Sequence, residues 1–269
     1  MRRPRLVTPP PFRETGYDPA ARVYDLEYPE CDGAELDFWI AEGRRLGPRL
    51  LEFAVGTGRM AIPLARQGFQ ITGVDTSAAM LKRAAARRAA SGRSTSARLG
   101  LQRGDMRTCR LTDTYDLALV GFNSYLLLPD QSARLRTLEN AAAHVRPGGG
   151  VAVDVFSATP LDATPDHEEV EFLERDPSTG RRITRERFYT YDEATHRGCS
   201  TLIYRYYDGP LLVDERRLGY SLALVTRDEV VAEFVEAGLE IDAVYGDYTR
   251  QPWRDDSPNL IVIGRTAAR

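Results

Sequence analysis

An α/β fold built on a doubly wound, mostly parallel sheet is predicted by three observations. Short apolar runs alternate with helical patterns through the first 156 residues, as strand–helix–strand units do. A glycine-marked turn, Ala54-Val55-Gly56-Thr57-Gly58, leads from the first run into a helix, and the next run closes on Asp75 about 20 residues later. The last two apolar runs are separated by about 14 residues, too few to accommodate a crossover helix comfortably, so they should be antiparallel neighbours.

Residues 1–13 are rich in Pro and Arg and are expected to be disordered or loosely packed. Residues 14–47 read as a helical lid, with apolar positions at Val23, Leu26, Leu36, Phe38, Trp39, Ile40 and Leu46 and a break around Pro29–Gly33. The core begins in residues 48–158. Leu50–Val55, interrupted by Glu52, suits a buried parallel strand. Gly56 and Gly58 allow a tight turn and close approach of a ligand to the backbone. Arg59–Gln67 has helical spacing, Gly68 stands where a C-cap glycine belongs, and Phe69–Val74 is the second strand. Ser77 caps a helix over Ala78–Ala90, and the SGRSTS stretch after it reads as a flexible loop. Ala97–Gln102 is a short third strand followed by Gly104, Asp105 and Met106; Asp116–Phe122 is a fourth, followed by Asn123, Ser124 and Tyr125. Pro129–Val145 is a helix ended by Pro147 and three glycines, and Val151–Phe156 is the fifth strand.

From Glu168 the pattern changes to charged, aromatic, β-prone runs parted by turn signals, which predicts an antiparallel meander within residues 159–222. Its aromatics (Phe188, Tyr189, Tyr191, Tyr204, Tyr206, Tyr207, Tyr220) can pack inward, line a substrate cap, or pair with a second copy of the chain. Residues 223–269 complete the core with a helix over Thr226–Ala237 and strands at Leu239–Tyr245 and Leu260–Arg265.

Composition narrows the function classes. A net charge of −3 and a pI near 5.8 give no electrostatic basis for binding nucleic acid or an anionic membrane. Lys82 is the one lysine, so Schiff-base chemistry would rest on it alone. Cys31, Cys109 and Cys199 lie far apart, and with His144, His167 and His196 equally isolated no metal-ligand spacing is seen. No apolar leader and no 18-residue apolar run is present, so a soluble, cytoplasmic protein is expected. His144 reads as a contact at a helix C-terminus, His196 as a hairpin-tip residue, and His167 is the least constrained of the three.

The Gly56-x-Gly58-x-x-Ala61 turn with Asp75 is a nucleoside-cofactor crevice, and alone it leaves a nicotinamide-dependent oxidoreductase open. Three features weigh against that reading: Glu52 inside the first strand, the Gly104-Asp105-Met106 step after the third, and the antiparallel closing pair. LLEFAVGTGR, GVDTS, QRGDM and HVRPGGGVAVDVF, in this order over residues 49–156, resemble the motifs of the class I S-adenosylmethionine-dependent methyltransferases. The first glycine of that family's loop is Ala54 here. YDPAARVYDLEY, FNSYLLLPD and VRPGGGVAVDVF are further similar to glycine N-methyltransferase and related bacterial small-molecule methyltransferases.

The resemblance implies a Rossmann-like seven-stranded sheet of order 3-2-1-4-5-7-6 with the last strand antiparallel, a helical lid at the N-terminus and an antiparallel insertion after strand five. It implies S-adenosyl-L-methionine as cofactor, with Tyr17 and Tyr24 of the lid on its methionine part. Asp75 would take the ribose hydroxyls and Asp105 with Met106 the adenine. Ala54, Gly56, Gly58, Arg59, Thr76, Met80 and Phe122 complete the expected cofactor set. Asn123 and Tyr125 are the candidates for positioning a small-molecule acceptor, and Glu52 reads as a buried carboxylate bonded to nearby backbone. Two departures concern the acceptor: Leu127 stands where the family has a histidine, and Phe156 where the glycine-methylating enzyme has a carboxylate-binding arginine. The reaction expected is methyl transfer to N or O in secondary metabolism, with changed chemistry on the same fold (C-methylation or cyclisation) as the alternative to it.

Overall fold

The computed structural model describes residues 9–158, 166–176 and 179–268, so most of the stretch read as a loose N-terminus lies outside the described residues. Two compact units divide the chain, one of residues 24–158 and 225–269 and the other of residues 1–23 and 159–224. The segment read as one lid is therefore apportioned between them at Val23 and Tyr24.

In the larger unit, α1 (Tyr24–Glu27) and α2 (Gly33–Leu46) precede β1 (Arg49–Phe53), α3 (Ala61–Arg66), β2 (Gln70–Asp75), α4 (Ala78–Ala90), α5 (Arg93–Ser96) and β3 (Leu99–Arg103). Then come β4 (Tyr115–Val120), a 3-10 turn at Ser124–Leu127, α6 (Gln131–His144) and β5 (Val145–Phe156). The other unit holds β6 (Asp166–Arg175), β7 (Arg182–Asp192), β8 (Arg197–Asp208) and β9 (Leu211–Ala223). The chain returns to the larger unit with α7 (Arg227–Glu236), β10 (Glu240–Tyr245) and β11 (Asn259–Arg265).

The strand order is β3-β2-β1-β4-β5-β11-β10, parallel as far as β5, with β11 antiparallel to both neighbours. This is the expected 3-2-1-4-5-7-6 arrangement. Because β1 lies between β2 and β4, the order reverses beside it, and the carboxyl ends of β1, β2 and β4 open a crevice at that switch point. Leu50, Leu51, Phe53, Leu117, Val120 and Ile261 are among the fully buried side chains of this sheet. Burying each stabilises the fold by about 1.5–3 kcal/mol relative to exposure.

Local chemistry starts and stops the helices. Ser77 Oγ accepts from Met80 N–H at 3.0 Å and Asp130 Oδ1 from Ala133 N–H at 2.7 Å, while Thr226 and Glu229 form a reciprocal capping box on α7. SGRSTS is not a flexible loop: it holds the single turn α5, with Ser96 N–H bonded to the Gly92 carbonyl at 2.9 Å and Thr95 buried. Nor do Pro147 and the three glycines end in a loop. β5 begins at Val145 and passes through them, and glycine is required at 149 because a Cβ there would lie 2.2 Å from Val145 Cγ1 and 2.9 Å from the Asp116 carbonyl. β4 ends two residues earlier than expected, at Val120.

In the smaller unit β6-β7-β8-β9 form the expected antiparallel meander. Phe188, Tyr204 and Tyr206 are buried, so these aromatics act in packing. The N-terminal segment pairs with β9 through Thr15 N–H and the Gly219 carbonyl at 3.0 Å, and Tyr17 stacks on Tyr220 with ring centroids 5.8 Å apart. Among the described residues no helix is long and apolar enough to cross a membrane.

Candidate active site

The turn after β1 carries three residues in the left-handed region: Ala54 (φ 54°), Gly56 (φ 54°) and Gly58 (φ 78°). Glycine adopts that region freely. At Ala54 the methyl group costs about 1–2 kcal/mol. The turn is pinned from the next strand: Asp75 Oδ2 accepts from Gly56 N–H at 2.8 Å and Oδ1 from Ser77 N–H at 2.8 Å.

At this turn lies a cavity lined by Tyr24, Glu52, Ala54, Val55, Gly56, Arg59, Met60, Gly121, Phe122 and Ser124. Of the expected cofactor residues, the structure thus brings Tyr24, Ala54, Gly56, Arg59 and Phe122 around one space, with Asp75 bonded to its rim. Thr76 is exposed past the end of β2, with its carbonyl bonded to Arg103 Nε at 3.2 Å, and Met80 is buried in the first turn of α4. Asp105 and Met106 follow β3, one strand further along; Arg107 donates to both Asp105 oxygens and holds that carboxyl below its usual range. Gly58 does not line the cavity, and Tyr17 belongs to the other unit.

Glu52 departs from expectation. It is buried, but its Oε2 has no hydrogen-bond partner, so this oxygen is not satisfied by backbone. Burial drives its carboxyl well above the usual carboxylate range, the nearby Arg59 works against that, and Glu35 and Asp75 add to it. Arg59 is itself neutralised by a two-pronged pair with Glu35, at 2.7 and 2.6 Å, and its guanidinium lies 4.1 Å from the centre of the Phe122 ring. Arg59, Glu35 and Asp75 are thus the charged groups that act on the buried Glu52 carboxyl.

A clasp closes over the turn. Asp25 accepts from Thr57 Oγ1 at 2.6 Å, Arg83 NH2 at 2.6 Å and Arg87 NH1 at 2.8 Å, and Arg87 also reaches Glu30 at 2.9 Å. Beside it the Tyr28 ring meets Tyr24 at 4.9 Å and Phe122 at 5.4 Å.

The acceptor candidates fare differently. Tyr125 is not at the cavity: it is completely buried, and its hydroxyl donates to Glu233 Oε2 at 2.6 Å. Arg134 grips the same carboxylate through contacts of 2.7–3.1 Å, so Tyr125 belongs to a buried triad joining α6 and α7 to the turn. Asn123 spends its side chain on structure, its Oδ1 accepting from Phe156 N–H at 2.7 Å. Ser124, between them, does line the cavity. Sequence reasoning had no signal for Asp154, buried at the end of β5, with Tyr248 donating to its Oδ2 at 2.8 Å; burial lifts its carboxyl to about 6.

None of the three histidines lines this cavity. His144 is buried rather than a surface contact, with Nε2 accepting from Leu111 N–H at 3.0 Å and Nδ1 facing the Asn140 carbonyl at 2.7 Å, which assigns the proton to Nδ1. His167 stacks on Phe188 at 4.5 Å, and His196 sits at a hairpin tip.

Residues 50–149 match the family model described as methyltransferase domain. The stretch that carries the cavity is thus similar to a methyltransferase domain. The chain is 27% identical to the cypemycin N-terminal methyltransferase of a Streptomyces species over 255 residues, 92% of this chain and 96% of that one. Its fold is similar to that of an S-adenosylmethionine-dependent methyltransferase from Clostridium acetobutylicum (TM-score 0.78, 15% identity, 94% of this chain and 100% of that one). It is also similar to the sugar N-methyltransferase KedS8 from Streptoalloteichus (TM-score 0.71, 20% identity, 99% of each chain). The cavity suits S-adenosyl-L-methionine: the unpartnered buried oxygen of Glu52 can accept from an ammonium, which that cofactor carries.

Proposed function

We propose that the protein is an S-adenosylmethionine-dependent methyltransferase that methylates an amine nitrogen of a small molecule. The observation that carries this reading is Glu52, a buried carboxylate with an unpartnered oxygen on the wall of a cavity that Tyr24 and Phe122 also line. S-Adenosyl-L-methionine supplies, when bound, an electrophilic methyl on a sulfonium. In this reading Glu52 holds the cofactor's ammonium, Gly56 and Ala54 bring the backbone close to it, and Asp75 takes the ribose hydroxyls. Met80, Thr76, Met106 and Asp105 flank the adenine.

With the leaving group already activated, the protein's part is alignment and exclusion of water. Tyr24 and Phe122 wall the cavity with aromatic surface that accommodates a positive charge. An amine becomes cationic as it accepts the methyl, which carboxylate-rich surroundings favour. A phenol would first have to become an anion there, and no histidine lines the cavity to take its proton. The names of the cypemycin N-terminal methyltransferase and of the sugar N-methyltransferase point the same way.

The test is incubation with methyl-labelled cofactor and three acceptor sets: peptides with free amino termini, amino sugars, and hydroxylated aromatics lacking an amine. Label on nitrogen in either of the first two sets is expected. Label confined to the hydroxylated aromatics would overturn the amine assignment.

A further inference from the structure

We infer that Asp154 is a positioning residue for the reacting end of the cavity, acting through the corner at Phe122 and Asn123; the inference rests on the cofactor reading above. The corner is unusual backbone. After β4 the chain makes two consecutive non-glycine residues in the left-handed region, Phe122 at φ 50° and Asn123 at φ 66°. Asparagine tolerates that region, and phenylalanine does not unless its surroundings impose it.

The surroundings here converge on one residue. Phe122 N–H donates to Asp154 Oδ2 at 3.3 Å, and Asn123 N–H donates to the Asp154 carbonyl at 3.0 Å. Tyr248 donates its hydroxyl to the same Oδ2 at 2.8 Å, which fixes the carboxyl's rotation. Asp154 is 1% exposed, so these bonds form away from competing water.

Strand order says which end of the cofactor the corner serves. With the ribose at Asp75 on β2 and the adenine beyond it toward β3, the opposite end must run across β1 toward β4. Phe122 stands there, lining the cavity with its ring between the Arg59 guanidinium and the Tyr28 ring. Releasing the corner would displace the wall beside the transferred methyl and leave the ribose anchor at Asp75 untouched.

Both side-chain bonds use Oδ2 alone, so an asparagine whose amide oxygen takes that place can accept both, and an alanine can accept neither. Geometry is thereby separable from charge. The experiment is calorimetric binding of S-adenosylhomocysteine and of sinefungin, in which a carbon replaces the sulfur and an amine stands where the transferred methyl does, to wild type and to Asp154→Ala, Asp154→Asn and Tyr248→Phe. Asp154→Ala is expected to bind sinefungin about tenfold more weakly while S-adenosylhomocysteine stays within about threefold, and Asp154→Asn to stay within about threefold for both. Tyr248→Phe should show the same selective loss to a smaller degree. Equal losses of both ligands without rescue by asparagine, or no loss in Asp154→Ala, would overturn the inference. If Asp154→Ala does not fold, Tyr248→Phe decides: a sinefungin-selective loss supports the role, and unchanged affinities refute it. Failure of the wild type to bind either ligand would instead bring down the cofactor reading, and this inference with it.

Discussion

Glu52→Gln removes a charge and leaves the shape of the side chain. Held away from water with an unpartnered oxygen on the cavity wall, the carboxylate can accept a charge-assisted hydrogen bond from the cofactor's ammonium. Such a bond is worth about 1.5–3 kcal/mol, so the variant should bind S-adenosylhomocysteine about 10- to 150-fold more weakly. A pH signature accompanies the loss. Burial raises the Glu52 carboxyl in the free protein, so below its shifted pKa the ligand must expel one proton on binding. Affinity should then climb with pH by up to about tenfold per unit and level off above that pKa, whereas the glutamine variant should lack this component. Stability moves in the opposite sense: with the folded pKa above the unfolded one, the carboxyl's favourable contribution is present in acid and lost as pH rises through the folded value. The variant should therefore equal the wild type in acid and exceed it at higher pH. Calorimetry in two buffers of different ionisation enthalpy measures the proton directly. Unchanged affinity with an unchanged pH profile would refute the reasoning.

Three further expectations follow from the same geometry. Asp75→Ala should weaken S-adenosylhomocysteine binding by at least about tenfold, read by calorimetry, since the carboxylate is expected to bind ribose as well as pinning Gly56 N–H. Tyr125→Phe should lower stability by about 1 kcal/mol and keep turnover, while Glu233→Ala, which strands the Arg134 charge, should lower it by about 3–5 kcal/mol in urea unfolding; lost turnover at full stability in Tyr125→Phe would return that tyrosine to the acceptor site. Arg87→Met should loosen the Asp25 clasp and raise the dissociation rate of S-adenosylhomocysteine roughly fivefold at low salt, with a smaller difference at high salt; equal rates in stopped flow at all salt concentrations would refute a role for the clasp.

How far the sequence could be read differs between the two ends of the crevice. The cofactor end is local. Strand β1, its turn and Asp75 lie within 27 consecutive residues, and each feature is carried by a residue type whose backbone or charge is nearly obligatory there. The sheet order was equally accessible, because alternating helices and strands leave few ways to wind a parallel sheet. Misread segments were those where composition pointed one way and packing another. Pro147 to Gly150 look like a helix stop, yet they lie within β5, with glycine required at 149 because a Cβ there would meet Val145 and Asp116. SGRSTS looks mobile, yet Thr95 is buried and ties it down as a helical turn.

The sequence alone determined the fold class, the glycine turn after β1 and the carboxylate that closes β2, because glycine turns, helical spacing and strand-end acids act through neighbours in the chain. Tertiary structure alone decided what each polar side chain does. Tyr125 follows β4 as an acceptor residue would, but Glu233, 108 positions away, claims its hydroxyl. Glu52 sits in an apolar strand as a structural carboxylate would, but it faces a cavity with an oxygen unpartnered. Asp154 gave no signal at all until Tyr248, 94 positions on, and the Phe122 corner converged on it. Hydrogen-bond partners so distant in the chain leave no spacing to read, and only the fold brings them within 3 Å or so of each other.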